Sequence, residues 1–146
     1  MNPSPLQLER HFFSKVLIEA QPDGKVGASN LLECQIEVGQ AANDPLRYQV
    51  TLLLKLLPQA GEKPCYTGEV QAIGLFRVLE RWPADKRSSL VEVNGSAVLL
   101  GAIRELVCNL TARGPWPMVT INTFTFIKPE AIAATAAEPP KQLAAK

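Results

Sequence analysis

Histidine and cysteine are scarce in this chain. Among 146 residues there is one His, His11, and there are three Cys: Cys34, Cys65 and Cys108. With one imidazole, any His-based catalytic triad would have to use His11, and no nearby Ser or Cys is marked out as its nucleophile. Three cysteines without C-x-x-C spacing do not suggest a disulfide framework, nor, beside a lone histidine, a zinc site. Each is expected to act as a small buried hydrophobe, a reactive thiol being the other reading. Long apolar runs are missing too. The longest, 52–57, is broken by Lys55 and falls far short of the roughly 18 residues that span a bilayer. The opening Met1-Asn2-Pro3-Ser4-Pro5 lacks the basic and apolar regions of a signal peptide, so a cytoplasmic protein without membrane insertion is expected. Neither charge sign dominates: 15 Lys and Arg face 14 Asp and Glu, a net charge of +1. That leaves no global electrostatic footprint for nucleic acid, and no basic stripe interleaves with aromatics. Nucleotide and hydrolase signatures (G-x-x-x-x-G-K, G-x-G-x-x-G, G-x-S-x-G, H-E-x-x-H) are absent, and no cofactor is implied.

What is present is an apolar content of 47%, enough for one ordinary hydrophobic core and too much for a disordered chain. Composition divides the chain into a short flexible leader (1–5), a body (6–127) and an Ala/Pro-rich tail (128–146) expected to be mostly mobile. Pro139-Pro140 forbids a continuous helix in the tail, which carries the whole net charge, although a short one over 130–137 is compatible with its sequence.

Within the body the first periodicity is that of strands. Leu32, Cys34, Ile36 and Val38 alternate with Glu33, Gln35 and Glu37. Tyr48, Val50, Leu52, Leu54 and Leu56 form a second series, whose opposite face carries Leu53 and Leu57. A third run, 65–79, sets Tyr66, Val70, Ala72, Phe76 and Val78 against Thr67, Glu69, Gln71, Ile73 and Leu75. Weaker alternation over 11–20 predicts a further strand. Asn43-Asp44-Pro45 and 58–64 supply turns. The period then changes: Val98, Ala102, Leu106 and Leu110 fall at four-residue steps beside Leu99, Ile103 and Val107, with Arg104, Glu105 and Asn109 outward. Gly95-Ser96 is expected as the N-cap and Gly114 as the residue past the C-cap. The segment 119–127 is expected to cross back extended. Strands followed by a helix predict the α+β class with a four-stranded antiparallel sheet.

Leu53, Leu57, Ile73 and Leu75 make the sheet apolar on both sides, and one helix covers one side. The other is then a partner interface, an exposed patch, or the bed of the amino-terminal or 119–127 segment. Trp116, held in Gly114-Pro115-Trp116-Pro117, is either a core aromatic closing the helix or the wall of an apolar groove with Phe124 and Phe126. His11 reads as structural or surface. Glu33, Glu37 and Glu69 read as solvated face charges rather than an acid/base pair. The absence of a catalytic set favours a binding protein over an enzyme.

Gly68-Glu69-Val70-Gln71-Ala72-Ile73-Gly74-Leu75-Phe76 resembles the third-strand signature of the SecB protein-export chaperones. Arg104-Glu105-Leu106, Leu110 and Arg113-Gly114-Pro115-Trp116-Pro117 are similar to that family's long helix and its ending, and Leu8-Glu9-Arg10, Phe12-Phe13 and Glu19-Ala20 to its first strand. The resemblance covers roughly 8–127. It implies subunits that pair and then assemble through their helices into a homotetramer, a dimer of dimers. The implied activity is an ATP-independent holdase that binds unfolded precursor proteins in apolar grooves and delivers them to the SecA motor. Carried over by position, Leu32, Cys34 and Ile36 lie near the client groove with Trp116, and Glu19 and Glu69 match SecA-contact positions. Lys15 stands where the family has an acidic contact, and Thr67 where it has an apolar one. Other readings are a chaperone dedicated to one client such as an antitoxin, a structural or adaptor oligomer on the same scaffold, and an enzyme acting on a small apolar ligand.

Overall fold

A computed structural model describes residues 1–128, so the tail predicted beyond Lys128 lies outside the described residues. Four long strands, β1 (Leu6–Ala20), β2 (Asn30–Ala41), β3 (Asp44–Pro58) and β4 (Tyr66–Val78), form one antiparallel sheet in the order β1-β4-β3-β2. The apolar series of β3 sits at its centre. Val50, Leu52, Leu54 and Leu56 are fully buried, each contributing roughly 1.5–3 kcal/mol relative to exposure. Val70, Ala72, Phe76 and Val78 of β4 lie on the same face.

β1 begins five residues earlier than its alternation suggests, and the reason is in its pairing. Its register against β4 shifts between Leu8 and Arg10 and again between Phe13 and Lys15. Each bulge inserts one residue and inverts the period-2 pattern. Leu6 and Leu8, then His11 and Phe13, then Val16 and Ile18 therefore share the core side, opposite Val78, Phe76, Gly74, Ala72, Val70 and Gly68.

After β4 the chain turns through 79–83, where Leu79 N–H donates to Pro5 O at 2.9 Å. Arg87 then donates from Nε to Trp82 O and from Nη2 to Glu80 O, both at 3.0 Å. Helical backbone starts here, earlier than predicted. A tight turn (Ala84–Lys86) leads into α1 (Arg87–Leu90), a widened turn (Val91–Gly95) and α2 (Ser96–Thr111). The expected N-cap is thus overturned: Gly95 has helical φ −63° and ψ −44° and makes no capping bond. The widened turn shifts the helical phase, which hides the upstream helix from a simple 3.6-residue count. Gly95 is instead a point of close approach, where a Cβ would sit 3.0 Å from Val50 Cγ2. Gly114 is likewise not a left-handed terminator, since its φ is not positive. The helix ends in tight turns, with Gly114 N–H donating to Thr111 O at 3.1 Å, and a Cβ on Gly114 would collide with the Tyr66 hydroxyl.

α2 packs on the sheet through Leu99, Leu100, Ile103, Val107 and Thr111. The predicted stripe is rotated accordingly: Val98 and Leu110 are 44% and 40% exposed, because the flanking series faces β3 and β4 more squarely. The segment after the helix carries no regular secondary structure and joins no strand among the described residues. Ile121, 2% exposed, anchors it on the helix side of the sheet. The apolar residues on the other side, Leu53, Leu57, Ile73 and Leu75, are half-buried by their neighbours and covered by no other described element.

Candidate functional site

β2 ends the sheet, so one row of its backbone groups has no strand partner among the described residues. Its pleat directs Leu32, Cys34 and Ile36 to the helix side, in register with Leu56, Leu54 and Leu52 of β3. The helix does not reach over this margin. In its place, Phe124 and Phe126 close a cleft of about 240 Å³ with Leu32, Cys34, Ile36 and Leu54. Five of the six predicted client-binding residues are therefore brought together. Cys34, expected buried, is exposed there, and desolvation by the apolar walls pushes its thiol above the ordinary value. Cys65 and Cys108 are half-buried, and the Cys108 thiol donates to Met118 Sδ at 3.0 Å.

Leu32 also borders a second cavity of about 340 Å³, walled by 26–30 on one side and 117–122 on the other, with Tyr66 and Leu56 beneath. Leu32 is common to both cavities, and the larger one mixes polar residues such as Ser29, Asn30, Thr120 and Asn122 with its apolar floor. Trp116 lines neither. It is half-buried past the helix end, where its Nε1 donates to Gln21 O at 3.0 Å. Its backbone N–H donates to the Tyr66 hydroxyl at 3.1 Å, and that hydroxyl lies 3.2 Å from Thr111 O. Trp116 thus ties the loop after β1 to the segment after α2, the two walls of the larger cavity.

Two further residues, which the sequence reading passed over as site-builders, hold the second wall. Thr111 Oγ1 donates to Val107 O at 2.7 Å and accepts the Val119 N–H at 2.9 Å, and Arg104 Nε donates to Ile121 O at 2.8 Å. Arg104 was expected to face outward. It bends instead over the returning chain, and an Arg two turns before a buried Thr on a helix followed by Pro was the available signal.

Glu19 and Glu69 lie on the opposite side of the sheet, diagonal to one another across β1 and β4. Glu69 is ion-paired with Lys15. The hydrogen bond and charge of Lys15, with the charge of Lys55, hold its carboxyl below the usual glutamate value against a smaller desolvation effect. Gln21 Nε2 donates to Thr67 Oγ1 beside them at 2.7 Å. His11 is exposed and meets the Phe13 ring edge-on at 6.2 Å. Among the described residues no three His, Cys, Asp or Glu side chains converge as metal ligands, and no helix is long and apolar enough to cross a membrane.

No protein-family model matches the chain. The protein-export proteins SecB of two Acidithiobacillus ferrooxidans strains are 32% identical over 78 residues, a match covering 53% of this chain. The chain spans about half the length of these curated relatives, 52%. In structure it is similar to a Mycobacterium tuberculosis SecB-like chaperone solved in complex with a ChAD peptide from the HigA1 antitoxin. The TM-score is 0.64 at 19% identity, over 83% of this chain and 91% of that one. With its four-stranded antiparallel sheet and single long helix, this chain has the fold of a SecB-like chaperone and is similar in sequence to SecB over about half its length.

Proposed function

We propose that this protein is an ATP-independent holdase of the cytoplasm that keeps unfolded proteins from folding by binding them along the β2 margin, and that it is not an enzyme. The observation that carries this reading is the juxtaposition of an open strand edge with an apolar cleft floored by Leu32, Cys34 and Ile36 and covered by Phe124 and Phe126. An unfolded chain offers what such a site takes: backbone groups for strand addition, and apolar side chains whose burial is not directional. Trp116 contributes to the same site by holding the larger cavity in shape. The working assembly is a homotetramer, a dimer of dimers, supported by the exposed apolar residues Val98 and Leu110 of α2 and Phe12 and Leu17 on the face of β1 turned away from the core.

Delivery to SecA would use Glu19 and Glu69. The Lys15–Glu69 pair bears on it, because a carboxylate neutralised within its own sheet offers less to a cationic partner. A second reading, service to one client such as an antitoxin, is favoured by the similar M. tuberculosis chaperone, whose complex holds an antitoxin peptide. A structural or adaptor oligomer on this scaffold is the remaining alternative.

Native mass spectrometry of the protein mixed with a chemically unfolded client tests the reading. A tetramer carrying one client chain is the expected species. A clean oligomer that ignores unfolded chains would leave the adaptor.

A further inference from the structure

Phe124 and Phe126 stand two residues apart in Thr123-Phe124-Thr125-Phe126, and in an extended chain that spacing turns both rings to one side. Both rings line the cleft on β2. The chain around them is tied down only upstream, where Thr111 holds Val119 and Arg104 holds Ile121. Over 122–126 no backbone group bonds to the sheet among the described residues. The nearest such bond is local, from Ile127 N–H to Thr125 Oγ1 at 3.3 Å. The facing edge of β2 is equally unpaired, and Phe124 remains 37% exposed. The segment therefore lends the cleft its aromatic rings without adding a strand to the sheet.

We infer that residues 122–127 are a built-in occupant of the client cleft, displaced when a client enters. The segment also spells out what the cleft accepts: an extended stretch with large apolar, above all aromatic, side chains at alternate positions and small polar residues between them. The inference rests on the holdase reading. A tethered occupant competes at high effective concentration, so the apparent affinity for a client falls by the fraction of molecules whose cleft is uncovered. A true client wins by a contact the occupant does not make, backbone pairing along the β2 edge.

The test uses the full chain and a fluorescent peptide copy of residues 121–128, with a second peptide in which both Phe are Ser. The variant Phe124→Ser/Phe126→Ser is expected to bind the Phe peptide about tenfold more tightly than the unaltered protein, with the Ser peptide binding neither. Phe124→Ser alone, which removes the half-exposed ring and leaves Phe126 packed, is expected to give a smaller gain in the same direction. It serves where the double variant does not melt cooperatively. In a Cys65→Ser/Cys108→Ser background, alkylation of Cys34 is expected to speed up in the Phe variants and slow down when the peptide is added. Equal or weaker peptide binding by a folded Phe variant, in a protein that still prevents aggregation of a denatured client, overturns this inference and leaves the holdase reading standing. Failure of the unaltered protein to prevent that aggregation overturns both.

Discussion

At the scale of single residues, Gly68 bears the most local constraint. It sits in β4 between Ile18 of β1 and Leu56 of β3, with φ +153°, and a Cβ there would run into the Leu17 carbonyl. Both the backbone conformation and the approach of β1 need glycine. Gly68→Ala is expected to destabilise the fold by about 3 kcal/mol, read as a lowered urea midpoint at unchanged slope. A loss below about 1 kcal/mol would mean that β1 shifts away without consequence. Glu69, the next residue, has the opposite character: its environment is polar and open, and its pairing with Lys15 acts on surface charge rather than on the core.

At the scale of elements, the junction between α2 and the returning chain does the most to shape the site. Thr111, Tyr66, Gln21 and Trp116 form one hydrogen-bonded knot that joins the helix end, the start of β4 and the loop after β1. Trp116→Ala removes the indole bond to Gln21 O and unties the loop after β1 from the helix end, while the backbone bond to Tyr66 remains. It is expected to lower the melting temperature and to weaken client capture together, measured by differential scanning calorimetry and by suppression of client aggregation. Weakened capture at an unchanged melting temperature would instead mean that the indole itself touches the client. The bulges of β1 act at the same scale, since they let a 15-residue strand keep Leu6, Leu8, Phe13, Val16 and Ile18 on one face along β4.

At the scale of the whole molecule, apolar surface exceeds what one helix covers. Val98 and Leu110 project from α2 away from the sheet, and Phe12 and Leu17 project from the face of the edge strand β1 turned away from the core. Charge at the helix positions should therefore act on assembly and leave the subunit fold intact. Val98→Glu/Leu110→Glu is expected to reduce the proposed tetramer to smaller species in light scattering, with an unaltered far-ultraviolet spectrum. A tetramer that survives this substitution would shift the assembly contacts away from α2.

By itself the sequence determined the strands β2, β3 and β4, the class of the fold and the apolar face of β3. Those properties are local: a period of two, carried by Leu and Val between turn residues, leaves one face to bury. Alternation also set Leu32, Cys34 and Ile36 on one face, while their place near a groove came from the resemblance to SecB and that of Phe124 and Phe126 from their position after the helix beside Trp116. Only the tertiary structure decided that the two sets meet across one cleft, since their proximity depends on where α2 ends and how Arg104 and Thr111 turn the chain back. The true start of the helical region and the reach of β1 were hidden for a shared reason. A widened turn and two bulges each insert a residue out of phase, and a periodicity reads as weak or ended when the backbone has only shifted its register.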